Sequence, residues 1–419
     1  DPYIYKTKDY GKTWKAITSG IPRSMLSYAH CIREDPVRRG LLYVGTENGL
    51  YVSFDDGEKW EPLQSNLPRA PVYWMVIQEH FNDLVVGTYG RGFWILDDLT
   101  PIQKMNQTVR DASAHLFPPI ATYRFRPSTQ PVTMSDDPSA GQNPPYGAAI
   151  SYYLKSAPAG DVKIKIEDAK GQLVRTLNGT KHVGLNRINW NLEGEPTTEV
   201  RMRTSPAYAP EIKVGPDGTR NAPGAGRMSI LMPPGSYTVK LSVAGQDLAQ
   251  PLILKKDPNS GGTEADISEQ TTMMLELRKD LESGAKMVNQ IEFIRSQIER
   301  LQATLNAGSD SVSVKAAADA LDKKLIEIEE NLIQRRLTGQ GQDTVRWPPK
   351  LLTKINYLAG GLASGDFAPT KQQREVHALL KQQLTTLRQQ LDAALNQDLV
   401  AFNRMLVDSS IKTTIKPAP

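Results

Sequence analysis

Carboxylates spread over the first hundred positions are the side chains of this chain that could perform acid–base chemistry. They are Glu34, Asp35, Glu47, Glu79, Asp83, Asp97 and Asp98. Glycosidic bond cleavage needs two carboxyl groups about 5–10 Å apart, one acting as acid and the other as base or nucleophile. No spacing here identifies such a pair, because Asp35-Pro36 is typical of a turn and Asp97-Asp98 follow a predicted strand. We therefore expect no catalytic residue in this chain.

The other reactive side chains indicate packing. Cys31 is the single cysteine, which excludes an intrachain disulfide, and its neighbour His30 falls with it in a predicted buried strand. No Cys/His spacing predicts a zinc site. A serine nucleophile elbow, a glycine-rich phosphate loop and a His-Glu-x-x-His motif are also missing from the sequence. We expect neither a metal nor a cofactor.

Composition limits the class of protein. The chain has 419 residues, of which 39% are hydrophobic and 23% charged, with a formal net charge of +4. This length predicts two to four globular domains. No run approaches the 18–20 apolar residues of a membrane span, and the charge is too small to indicate a nucleic-acid partner.

The elements that must position these residues begin with a repeat. Residues 7–14 match residues 53–60 at a shift of 46 (position 7 onto position 53). Two further pairs of strand-like segments repeat downstream: Tyr43–Thr46 as Val85–Thr88, and Gly49–Val52 as Gly92–Ile95. A period of about 45 residues with alternating apolar positions and Gly/Asp turns predicts β-propeller blades.

Both copies of the first segment fit the pattern [Ser/Thr]-x-Asp-x-Gly-x-x-Trp, which resembles the Asp-box of sialidase-type and sortilin-type propellers. The positions are Thr7, Asp9, Gly11 and Trp14 in one copy, and Ser53, Asp55, Gly57 and Trp60 in the other. The carboxylate can accept backbone N–H groups across a turn, glycine supplies a positive φ, and tryptophan can pack between blades. We interpret all eight as structural turn and core residues.

The third copy, from Val72 to about Met105, keeps the strands but lacks the motif, as the last blade of an array would. Residues 1–105 thus supply two to three blades, whereas a closed propeller has four to eight. Open blades would expose sheet edges and apolar faces. We expect the other blades to lie upstream in a longer precursor or in a separate chain.

Residues 106–146 form a predicted proline-rich connector, either ordered or flexible. Residues 147–258 contain short alternating strands typical of an immunoglobulin-like sandwich, and resemble the module of flagellar-hook capping proteins around Gly184–Trp190 and Pro234–Val239. A long insertion at about 192–228 is predicted to be either a disordered loop or a contact arm.

Residues 264–410 change to a helical period, with apolar residues on seven-residue steps. Capping patterns at Asp266–Glu269 and Thr370–Gln373 mark the starts of the first and last helices. The sequence therefore predicts an antiparallel four-helix bundle, and a chain that is mainly β and then α.

Blades, connector, sandwich and bundle in this order resemble the C-terminal part of large secreted bacterial Asp-box repeat proteins of the sortilin-type or glycosyl-hydrolase-like family. The resemblance implies secretion or a periplasmic location, and a non-catalytic scaffold that binds a protein or peptide. The alternative is a polysaccharide-binding or hydrolysing protein with its active site in blades outside this chain. Candidate binding residues are Arg23, Arg69, Trp74, Tyr89 and Arg91, with Tyr73 and Trp94 as further aromatic platforms.

Overall fold

The computed structural model describes residues 1–126, 141–305 and 309–417. The chain forms two compact units: Asp1–Leu192 with Pro234–Lys255, and Glu193–Pro233 with Lys256–Pro419. The predicted blades and sandwich thus share the first unit, while the predicted insertion groups with the helices. Part of the predicted connector, residues 127–140, lies outside the described residues.

The strands are β1 (Tyr5–Lys6), β2 (Lys15–Ala16), β3 (Ala29–Glu34), β4 (Leu42–Thr46), β5 (Gly49–Ser53), β6 (Glu61–Pro62), β7 (Val72–Gln78), β8 (Asp83–Thr88), β9 (Phe93–Leu96), β10 (Ala114–Leu116), β11 (Thr122–Arg124), β12 (Ala148–Leu154), β13 (Lys163–Glu167), β14 (Leu173–Asn178), β15 (Gly184–Trp190), β16 (Arg201–Met202), β17 (Arg220–Asn221), β18 (Gly235–Val243) and β19 (Gln246–Lys256). The helices are α1 (Thr100–Lys104), α2 (Gln107–Asp111), α3 (Glu264–Thr304), α4 (Ser309–Leu332), α5 (Asp343–Arg346), α6 (Leu351–Leu362), α7 (Lys371–Ala393) and α8 (Leu399–Asp408).

The first repeat sheet, in the order β3-β4-β5-β6, is covered on both faces. Every residue of β4 and β5 is buried. Leu42, Val44 and Tyr51 pack with Ile4, Ile17 and Trp60 on one face. The opposite face carries Tyr43, Leu50 and Val52, which pack against the next sheet. Apolar residues therefore fill consecutive positions of these strands, since both faces need them.

The second repeat sheet, in the order β7-β8-β9, is covered on one face. Met75, Leu84 and Val86 are buried against the first repeat sheet. Trp74 and Phe93 point the other way and are 63% and 84% exposed. Burial therefore alternates along these strands, as in a sheet with one free face.

Both Asp-box turns are closed by their own side chains. Asp9 accepts the N–H of Thr13 at 2.9 Å, and Asp55 accepts the N–H of Lys59 at 2.9 Å. Gly11 and Gly57 have φ of 90° and 89°, which a side chain would strain. These bonds are local to each turn, so the turn forms whether or not a neighbouring sheet covers it.

The two tryptophans of these turns differ, which corrects one prediction. Trp60 is 1% exposed and donates its indole N–H to the carbonyl oxygen of Ile17 at 2.7 Å. Trp14 is 61% exposed, and its indole N–H donates within its own turn, to the Gly11 carbonyl oxygen at 3.1 Å. The interpretation of Trp14 as a core residue was wrong, because β1 and β2 bring no sheet over its ring.

Two further sheets complete the first unit, in the orders β10-β12-β15 and β11-β19-β18-β13-β14. Their core includes Ile150, Ile164 and Leu241, each 0% exposed. Trp190 packs edge-on against Tyr237 with ring centroids 5.5 Å apart. The predicted strands Ala148–Leu154 and Gly235–Val243 coincide with β12 and β18.

Amphipathic helices form the core of the second unit. α3, α4, α6, α7 and α8 share one apolar cluster, to which the predicted stripes contribute. Thr370 and Gln373 form a reciprocal capping box at the start of α7, as predicted. The box of α3 differs: it joins Thr263 to Asp266, so α3 begins at Glu264, ahead of the predicted start. The hydroxyl of Thr263 is the better cap because Asp266 can reach back to its N–H at 2.8 Å.

The insertion packs along α3 as a contact arm. Side chains on one face of α3 accept hydrogen bonds from backbone N–H groups of the insertion. Glu282 accepts the N–H of Thr198 at 2.6 Å, and Glu292 accepts the N–H of Thr204 at 2.9 Å. Glu292 is fully buried and pairs with Arg295 at 2.7 Å. These contacts favour the contact-arm prediction over the disordered-loop one.

Candidate functional site

Four polar aromatic side chains and one carboxylate lie together where β3 and β7 begin and where β4 and β8 end. We call this group the His30 cluster, and it comprises Tyr28, His30, Glu47, Tyr73 and Tyr89. Nε2 of His30 lies 2.7 Å from Oε2 of Glu47. The His30 ring packs edge-on against Tyr28 and Tyr73, with centroids 4.9 and 4.2 Å away, and Tyr73 contacts Tyr89 at 5.5 Å.

Two equivalent irregularities in the repeat sheets produce this cluster. The register between β3 and β4 shifts between Ala29 and Cys31, at His30. The register between β7 and β8 shifts between Val72 and Trp74, at Tyr73. A bulge adds a residue and redirects its side chain, and bulges are frequent beside functional sites. The bulges place His30 and Tyr73 side by side.

Hydrogen bonds within the cluster shift the pKa values of two of its groups. A hydrogen bond from Tyr28 to Glu47 raises the pKa of the Tyr28 hydroxyl. The His30 hydrogen bond lowers the pKa of Glu47 and keeps that carboxylate ionised. The three tyrosine rings of the cluster combine apolar surface with hydroxyl groups that can donate and accept hydrogen bonds.

The side chains of Cys31 and His30 have different surroundings although the two residues are adjacent in sequence. Cys31 is 8% exposed and its thiol approaches the carbonyl oxygen of Val72 at 3.6 Å. Burial raises the pKa of this thiol, which makes it inert. His30 is only half-buried, so its interpretation as a core residue needs correction: it lies at the start of β3, where the bulge places its ring against Tyr28 and Tyr73.

The predicted aromatic platforms have different partners. Arg33 lies over the indole of Trp74, 4.2 Å from the ring centroid. Trp94 is half-buried and donates to the carbonyl oxygen of Arg91 at 2.9 Å. Tyr89 is 68% exposed and belongs to the His30 cluster. The platform residues are thus divided between the cluster and the two faces of the second repeat sheet.

The three candidate arginines are exposed. Arg23 lies between β2 and β3, Arg69 between β6 and β7, and Arg91 in the turn between β8 and β9. The hydrogen bonds and ring contacts that define the His30 cluster include none of them. Their role in binding stays a prediction.

The candidate carboxylates lie in different surroundings and have different hydrogen-bond partners. Glu34 accepts the Gly40 N–H at 2.9 Å, and buried Asp35 accepts the Tyr43 hydroxyl at 3.0 Å, so both are structural. Asp83, Asp97 and Asp98 come together beside one cavity. The sequence analysis did not find the His30–Glu47 pair, because its partners lie 17 residues apart. The signal in the sequence was a polar aromatic residue near the start of the first strand of each repeat, His30 in β3 and Tyr73 in β7.

Two searches of the described residues bear on the class of site. In residues 1–126, 141–305 and 309–417, no group of three or more His, Cys, Asp or Glu side chains could hold a metal ion. Over the same part of the chain, none of the helices combines the length and apolar character needed to cross a membrane.

Comparison with known proteins gives little. No family model matches the chain, and no curated protein matches it. One similar solved structure is the extracellular domain of a hybrid two component system from B. thetaiotaomicron, at 10% identity and a TM-score of 0.17. The match covers 59% of this chain and about 28% of that chain's length. A TM-score this low does not indicate a shared fold.

Proposed function

We propose that the chain is the C-terminal part of a propeller protein that binds proteins or peptides, and that its second repeat sheet is a blade on which a further blade packs. The observation that carries this proposal is the outer face of β7-β8-β9. We define the outer face as Trp74, Val76, Val85, Gly87, Phe93 and Ile95. Trp74, Val76, Phe93 and Ile95 are 50–84% exposed, an apolar patch typical of an interaction surface.

The packing of the first repeat sheet supports a further sheet as the occupant of the outer face. Val85, Phe93 and Ile95 align with Tyr43, Leu50 and Val52, which pack against the second repeat sheet. The aligned residues of the first sheet are thus covered by another antiparallel sheet of the same repeat. A further sheet of this kind is the occupant that continues the existing packing.

Glycine supports the same occupant. A Cβ on Gly45 would lie 2.5 Å from the carbonyl oxygen of Val72, so this glycine allows β7 to approach closely. Gly87 aligns with Gly45, yet a Cβ there would meet nothing nearer than 3.7 Å. The second repeat sheet therefore keeps the small residue that close sheet packing requires.

The remaining elements fit the same architecture. The antiparallel sheets β10-β12-β15 and β11-β19-β18-β13-β14 support an immunoglobulin-like module after the blades. The helical unit would follow it as a C-terminal bundle, and secretion or a periplasmic location comes with the family resemblance. Within the blades, the His30 cluster is the surface that we assign to recognition of a protein or peptide partner.

Site-specific photo-crosslinking in the native host tests the further blade. Benzoylphenylalanine replaces Phe93 in one variant and fully exposed Tyr10 in a matched control, and crosslinked peptides are sequenced by mass spectrometry. We expect the Phe93 position, and not the Tyr10 position, to capture a strand of an Asp-box repeat that differs in sequence from residues 1–105, either in the same precursor or in a different polypeptide. Capture of a second copy of residues 1–105, of a protein without the repeat, or of nothing above the control would contradict the proposal.

A further inference from the structure

The first unit contains a cavity of about 550 Å³ away from the His30 cluster. It lies among the turn after β7, the end of β9 and the segments around β11 and β12. Phe81, Tyr123, Phe125 and Tyr146 form its aromatic wall, and Asp83, Asp97, Asp98 and Arg187 form its polar floor. Its volume is within the range of ligand-binding pockets.

The aromatic wall presents ring faces. Tyr123 and Phe125 are stacked with centroids 5.6 Å apart and an interplanar angle of 27°. Lys255 Nζ already lies 5.5 Å from the Tyr123 centroid, so the open ring surfaces are those of Phe81 and Phe125. Phe81 and Phe125 are 45% and 40% exposed, so part of each ring remains accessible to a ligand. The face of an aromatic ring carries negative charge density and attracts cations.

The floor adds carboxylates with distinct roles. Asp83 accepts the backbone N–H of Asp98 at 2.9 Å, and Asp98 accepts the N–H of Thr100 at 3.0 Å, which fixes the chain between β9 and α1. Asp97 lines the cavity between them. Burial above all, and then the charge of Asp83, raises the pKa of the Asp97 carboxyl, while the charge of Arg187 acts in the opposite direction.

Arg187 does not neutralise the floor by direct pairing. Its guanidinium donates to the carbonyl oxygens of Asp97 and Asp98 at 2.7 and 2.9 Å, and to the hydroxyl of Ser151 at 3.1 Å. It ties β15 to the end of β9 through neutral acceptors. One guanidinium against three carboxylates leaves the lining net negative.

We propose that this cavity binds a basic side chain of a partner peptide, and that arginine is the preferred residue. A guanidinium is flat, stacks on aromatic rings and donates in a plane to carboxylates, which matches both the wall and the floor. The inference rests on the proposed peptide-binding function and names the chemistry of the partner. A neutral saccharide would not use the net charge of the floor.

Calorimetric titration of the whole chain with two peptides tests it. One is acetyl-Gly-Ser-Arg-Ser-Gly-amide, and the other carries citrulline, the uncharged isostere, in place of arginine. We expect the arginine peptide to bind at least tenfold more tightly. Asp97→Asn, which removes the charge and keeps the shape, should weaken its binding about tenfold. Glu79 is an exposed carboxylate in the β7–β8 turn, near Phe81 but outside the cavity lining, so Glu79→Gln should change the binding less than twofold.

Three results would overturn the inference: no binding of either peptide, equal binding of both, or equal loss in Asp97→Asn and Glu79→Gln. Cellohexaose binding that is lost in Asp97→Asn without arginine binding would assign the cavity to a saccharide instead. Phe125→Leu keeps apolar volume and removes the ring, so it should weaken the arginine peptide several-fold. Phe93→Ser should leave peptide binding unchanged, which separates this test from that of the outer face.

Discussion

The two repeat sheets share a sequence pattern but differ in how much of it they bury. In the first, both faces are covered, and β4 and β5 are buried throughout. In the second, the outer face is open and Phe93, aligned with buried Leu50, is 84% exposed. The pattern therefore fixes strand and turn geometry locally, while burial depends on the neighbouring sheet. Matched substitutions at aligned positions separate the two contributions.

The largest difference is expected between the two Asp-box tryptophans. Trp60→Ala empties a buried site and leaves the Ile17 carbonyl without its donor, so we expect a loss of about 3–5 kcal/mol in the free energy of unfolding. Trp14→Ala should cost under about 1 kcal/mol, because the ring is exposed. Urea unfolding followed by tryptophan fluorescence measures both, since most tryptophans lie in the first unit. Equal losses would show that the two sheets do not differ in this way.

The next pair is Leu50→Ala and Phe93→Ala. Leu50 is 3% exposed between the repeat sheets, so its truncation should cost about 2–4 kcal/mol. Phe93→Ala should change the free energy of unfolding by less than about 0.5 kcal/mol in this chain. A cost above about 2 kcal/mol at Phe93 would mean that its ring is already covered.

The glycine pair follows. Gly45→Ala places a methyl group against Val72 and Cys31, and overpacking of this kind costs about 1–3 kcal/mol. Gly87→Ala meets ordinary contact distances and should be neutral within about 0.5 kcal/mol. The same urea titration reports both, and a destabilising Gly87→Ala would contradict an open outer face.

The smallest contrast is expected at the turn carboxylates. Asp55→Ala should cost about 1 kcal/mol, because it removes one acceptor of a local backbone N–H. Asp9→Ala should act in the same direction, since Asp9 accepts the equivalent N–H, that of Thr13, and also the Thr13 hydroxyl at 2.7 Å. Thermal unfolding of both variants checks this, and a large loss at Asp55 with none at Asp9 would show that the turn depends on its neighbour.

The sequence predicts features that depend on neighbouring residues, but not those that depend on contacts between distant parts of the chain. The strands Ala148–Leu154 and Gly235–Val243 and the α7 capping box follow from periodicity and from residues three positions apart. Exposure of Trp14 depends on a sheet contact that no local pattern encodes. The packing of the insertion on α3 depends on Glu292, which reads in sequence as an ordinary surface residue of a helix.

The candidate sites show the same division. The Asp-box pattern predicted turn geometry, but the His30 cluster arises from bulges that pair residues across two repeats. The cavity joins Phe81, Tyr123 and Arg187, which come from three separate stretches of the chain. Their spacing matches no motif, because the sheets, and not the sequence interval, bring them together.

Hydroxyl-radical labelling of Phe93 in the protein from its native host tests the central claim most directly. Labelling is measured against Tyr10, whose ring is fully exposed, and compared with residues 1–419 prepared alone. The account predicts that Phe93 is labelled as readily as Tyr10 in the chain alone and is strongly protected in the native protein. Equal labelling of Phe93 and Tyr10 in the native protein would contradict a further blade on the outer face.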